Sequence, residues 1–103
     1  MDRVRFIQHQ GKYVLLIDYS HCDDDQEMLK MVARRRELVS AQHPRSVLTL
    51  TDVTGARFSK EVLEKFKAAA VLDRPFVRRA AVVGKDESLQ AVVESVSTFA
   101  LRQ

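Results

Sequence analysis

The chain is poor in the residues that usually announce a function. It has one cysteine, two prolines, three glycines, no tryptophan and 7% aromatic residues in 103. A lone Cys22 excludes an intramolecular disulfide. Three glycines leave little material for a phosphate-cradling loop. No Gly-x-Ser-x-Gly elbow, Walker-type loop or Cys–His pair with an orienting third group is present. The longest uninterrupted apolar run, residues 68–72, is far too short to span a bilayer. The start, Met1-Asp2-Arg3-Val4-Arg5-Phe6, lacks the apolar core of a signal peptide. A soluble protein of the cytoplasm is the expectation.

Charge of one sign is lacking too. The net charge is +3. Residues 1–51 hold eight basic and seven acidic side chains, residues 52–103 nine and seven. A nucleic-acid face would concentrate its charge, so none is expected. Arg34-Arg35-Arg36 and Arg78-Arg79 read as solvated positions. Consecutive helical residues fan out by about 100°, so the three arginines form no single patch.

What the chain has is 46% hydrophobic content in regular patterns, enough for one domain over residues 1–103. Val4 and Phe6 alternate with Arg3, Arg5 and Gln8, as in a one-sided edge strand. Gln10-Gly11 supplies a turn into an apolar strand, Tyr13 to Tyr19, forming an antiparallel hairpin. Asp23-Asp24-Asp25 suits a helix start. That helix carries Met28, Met31, Val32, Leu38 and Val39 on one stripe, with Arg35 snorkelling within it, and ends at His43-Pro44. Val47 to Val53 is a strand, and Ser59 to Asp73 a helix with Val62, Phe66, Ala69 and Ala70 inward. Arg74-Pro75 ends it. Phe76 to Val83 is a strand whose segment from Ala80 looks buried on both faces. Gly84 leads to a last helix bearing Leu89, Val92, Val93, Val96 and Phe99. The expected class is α/β: a mainly parallel four-stranded sheet with an N-terminal antiparallel hairpin, in the order β-β-α-β-α-β-α.

The hairpin, the strand-turn segment Leu50-Thr51-Asp52-Val53-Thr54-Gly55-Ala56-Arg57-Phe58 and Ala80-Ala81-Val82-Val83-Gly84 together resemble the STAS superfamily. The chain looks most like its small stand-alone bacterial members, the SpoIIAA-like (anti-sigma-factor-antagonist-like) proteins. The resemblance implies a non-enzymatic signalling or protein-interaction module without a cofactor. Its recognition region would be the strand-end turn and the following helix: Asp52, Thr54, Gly55, Arg57 and Ser59, with Lys85 at the next strand end. A partner protein or a small ligand would bind there. Regulatory relatives carry a phosphorylatable Ser or Thr preceded by Asp. Here Ser59-Lys60-Glu61-Val62 occupies that place, so Ser59 is the one candidate for modification and lacks the preceding Asp. Relatives also continue with a further strand and helix, so a shortened form or an open sheet edge is expected. A homodimer is expected, since the hairpin edge and the missing strand both leave pairing surface.

Each candidate also has a plainer reading. Ser59 suits an N-cap. Asp18, Asp52 and Lys85 fall at three strand ends, and two carboxylates facing a lysine could bind Mg²⁺ and accept a phosphoryl group. Turn and capping hydrogen bonds by Asp18 and Asp52 are the simpler alternative. His21-Cys22-Asp23-Asp24-Asp25 gathers metal-capable atoms at neighbouring positions that cannot all face one ion. A loop entering a capped helix accounts for it, and no metal is expected.

Overall fold

The computed structural model describes residues 3–84. Within them run β1 (Val4–His9), β2 (Lys12–Asp18), α1 (Asp25–Ser40), β3 (Val47–Asp52), α2 (Lys60–Asp73) and β4 (Val77–Val83). The four strands form one sheet in the order β1-β2-β3-β4. β1 pairs antiparallel with β2, and β2–β3 and β3–β4 are parallel. The expected last helix and Lys85 lie outside the described residues. No helix among those described is long and apolar enough to cross a membrane.

The hairpin register follows from its turn. Gln10 and Gly11 both take positive φ, 50° and 76°, which matches the twist of the flanking strands in a two-residue loop. This register pairs Val4 with Ile17 and Phe6 with Leu15, placing all four on one face. Both parallel crossovers advance the same way across the sheet, so right-handed connections put α1 and α2 together on that face. The core is there: Val4, Leu15, Ile17, Met28, Met31, Val39, Val47, Val62 and Phe66 are buried in one cluster. The opposite face carries the half-buried Ile7, Val14, Leu16, Leu48 and Leu50.

The helices start where their caps dictate. The Asp24 carboxylate accepts from the Gln26 and Glu27 amides at 2.9 and 3.2 Å, and the Ser59 hydroxyl oxygen from the Val62 amide at 3.2 Å. Each satisfies N–H groups that the first turn leaves without intrahelical partners.

Two sequence expectations are corrected. The Ala80–Val83 segment is largely exposed rather than buried on both faces, because among the described residues β4 is the last strand of the sheet and has a strand neighbour on one side only. Arg35 does not snorkel. It is only 6% exposed, with Nε 3.3 Å from Oδ2 of the fully buried Asp73 and the guanidinium carbon 5.8 Å from the Phe66 ring centre. Arg36 hydrogen-bonds the other Asp73 oxygen. One carboxylate thus ties the middle of α1 to the end of α2.

Candidate functional site

The carboxyl ends of β2 and β3 meet along one border, with Asp18 in register beside Asp52. The loops leaving these strands are built alike, Asp18-Tyr19-Ser20-His21-Cys22 and Asp52-Val53-Thr54-Gly55-Ala56. Asp18 Oδ1 accepts from the Ser20 amide at 2.9 Å and from its hydroxyl at 2.5 Å. Asp52 Oδ1 accepts from the Thr54 amide at 2.9 Å. Each aspartate thereby folds the chain back two residues on, as short polar side chains do in turns. The next residue of each loop, Tyr19 or Val53, drops into the core. The amide three residues further then closes a turn: Cys22 on the Tyr19 carbonyl at 3.0 Å, Ala56 on that of Val53 at 3.1 Å. The third residue of each turn has positive φ, His21 at 55° and Gly55 at 66°.

Backbone bonds join the two loops. The Tyr19 amide donates to the Asp52 carbonyl at 2.8 Å, His21 to Thr54 at 2.8 Å, and Arg57 to Cys22 at 2.9 Å. Arg3 fixes the border from outside, donating to the Asp18 and Ser20 carbonyls at 2.8 and 3.0 Å and pairing with Glu27 at 3.0 Å. Beneath the loops Tyr19, Phe58 and Phe66 pack ring on ring, with centres 5.3–6.4 Å apart. Among the described residues the Tyr19 hydroxyl has no hydrogen-bond partner, and burial raises its pKa.

Thus Asp52, Thr54, Gly55, Arg57 and Ser59 lie on one continuous segment of this rim, with Gly55 and Arg57 exposed and the others half-buried. Lys85 lies outside the described residues. Asp18 and Asp52 come together, each with one oxygen engaged in its own turn. Burial pushes the Asp18 carboxyl up, but the Ser20 hydroxyl and amide and the charges of Arg3 and Arg5 outweigh it, holding the pKa below the ordinary value. Among the described residues no cluster of three His, Cys, Asp or Glu side chains could hold a metal ion. Ser59 acts as the helix cap, its hydroxyl oxygen engaged by Val62.

Sequence reasoning passed over His21 and Ser20 as rim residues. The shared pattern of aspartate, core residue, then Ser or Thr at both strand ends was the available signal. Compared with known proteins, the chain matches no family model, no curated protein and no solved structure.

Proposed function

We propose that the protein is a non-enzymatic interaction module of the STAS type. The surface it offers a partner protein is the rim segment Asp52, Thr54, Gly55, Arg57 and Ser59. The observation that carries this reading is the cross-bracing of the two exit loops by the Tyr19–Asp52, His21–Thr54 and Arg57–Cys22 backbone bonds. Loops tied this way are ordered before any partner arrives, which lowers the entropy lost on association. The engaged carboxylates argue in the same direction. Asp18 and Asp52 build turns, an arrangement that serves a fixed surface better than a proton-transfer pair.

A photo-crosslinking residue placed at Arg57, compared with the same residue at Gln42 on the opposite end of the sheet, tests the reading in the native cell. Discrete protein adducts from position 57 and none from 42 are expected. Adducts from position 42 alone, or a chemical turnover abolished by rim substitutions, would overturn it.

A further inference from the structure

The central strand β3 turns its larger apolar side chains away from the helices. Thr49 and Thr51, in register with the core residues Leu15 and Ile17, are buried on the helical face. Leu48 and Leu50 point the other way and stay half-buried. The strand registers lay this second face out in rows. Arg5, Leu16, Leu50 and Ala81 form one row. Ile7 with Val14 and Leu48 with Arg79 form the next. Beyond the first row lie Asp18, Asp52 and Val83, the last 44% exposed. Beyond the second lie His9 and Lys12. Two mainly aliphatic rows thus run between an acidic border and a cationic one.

Parallel strands are ordinarily covered on both faces, and an open apolar patch of this breadth marks an interaction surface. Among the described residues both helices pack on the other face, over the core. The sheet edge is a poorer place for a partner. The β3–β4 register shifts between Val47 and Leu48, which pair with Val77 and Arg79, so Arg78 is the extra residue of a bulge. Bulges and edge charges both blunt strand addition.

We propose that a second copy of the chain docks on this face, the two sheets stacking with their strands antiparallel. A two-fold axis between the sheets, running across the strands, sets each strand over its own counterpart. The row of Leu16 and Leu50 then meets the row of Val14 and Leu48 of the second copy. Asp18 meets Lys12, Arg5 lies over Ile7 and Arg79 over Ala81, so the arginines do not oppose one another. With the axis along the strands instead, β2 would lie over β3 and Asp18 would oppose Asp52. Charge patterns of this kind accept one alignment and reject the other. Sheets stacked face to face lie about 10 Å apart and within about 30° of alignment. The dimer stands whether or not the rim segment binds a partner protein.

Analytical ultracentrifugation of the full chain, over about 1–200 μM, tests this. A reversible monomer–dimer equilibrium is expected. Ala81→Lys sets a lysine against Arg79 of the second copy and should weaken the dimer about tenfold, whereas Ala81→Glu sets a carboxylate there and should not. Lys12→Glu, opposite Asp18, should weaken it by about the same factor. Ala81 and Lys12 are exposed, so these variants should keep the fold, which circular dichroism checks. Arg34→Ala, at an exposed α1 position paired with Glu37, should leave the equilibrium unchanged. A dimer that ignores either Ala81→Lys or Lys12→Glu would overturn the proposal and point to pairing along a strand edge. A monomer at every concentration would overturn it as well. Leu48 and Leu50 methyl groups shielded from a soluble paramagnetic probe in that monomer would then assign the face to residues 85–103 of the same chain.

Discussion

Gly55 lies so close under the His21 ring that a β-carbon on it would sit 2.5 Å from Nδ1 and 2.9 Å from Cε1. Both residues occupy the positive-φ position of their turns, at 66° and 55°. Gly55→Ala therefore meets two penalties, the left-handed backbone and the ring. We expect it to destabilise the fold by about 2–3 kcal/mol. His21→Gly removes the ring and relieves its own backbone, so in the Gly55→Ala background it should restore about half the loss. Urea unfolding of the four proteins of this cycle measures the coupling. Additive effects would mean that the two loops do not touch in solution.

The Arg35–Asp73 pair makes a different prediction. Asp73 is 0% exposed and Arg35 6%, so removing either charge strands the other in the core. Asp73→Ala should cost about 3–5 kcal/mol. Arg35→Met with Asp73→Leu replaces the pair by apolar groups of similar bulk, and one-third-exposed Arg36 can turn to water. That double variant should lie within about 1 kcal/mol of the parent. Thermal and urea unfolding check both values. If the double variant were as unstable as the single one, the triad would be doing more than holding α1 to α2.

Much of this architecture was legible in local pattern, because local chemistry sets it. Gln10-Gly11 dictates the hairpin, Asp24 and Ser59 begin their helices, and alternation along Val47–Asp52 places the strand. The errors concern residues whose setting depends on distant chain. An apolar run such as Ala80–Val83 reads alike in a central strand and at an edge, and only the sheet order separates them. Asp73 looked like an ordinary helix end because its partners Arg35 and Arg36 lie a whole β-strand earlier. The arginines seemed dispersed for the same reason. Arg35 and Arg36 meet Asp73 only once α1 packs against α2. At the rim, the candidate residues Asp52, Thr54, Gly55, Arg57 and Ser59 run from the end of β3 to the start of α2, and the matching loop after Asp18 carried no comparably long motif in the sequence.

Asp18 supplies a pH dependence whose sign follows from its surroundings. Its folded pKa lies below the model-peptide value of 3.8, so the folded state holds the proton less tightly than the unfolded chain. The resulting stabilisation is fully present above pH 3.8 and is lost as pH falls through the folded pKa. Ser20→Ala deletes the 2.5 Å hydroxyl bond and should move the Asp18 pKa upward, as followed by its carboxyl carbon in an NMR titration. Asp18→Asn should flatten the acid limb of the stability curve. An Asp18 titration at or above the unfolded value would contradict the hydrogen-bonded turn.

Ser59 separates a structural from a regulatory role in one series of variants. Its oxygen accepts from the Val62 amide at 3.2 Å, so Ser59→Ala should cost about 1 kcal/mol, while Ser59→Asp, an equally good cap, should cost nearly nothing. The carboxylate also sits favourably at the positive end of α2. A negative group at this position is thus compatible with the fold, and any effect of Ser59→Asp on partner binding would report on the rim surface rather than on unfolding. Urea unfolding run beside the position-57 crosslinking assay makes the distinction. Loss of stability in Ser59→Asp equal to that in Ser59→Ala would show that the cap is not formed by the side chain at this position.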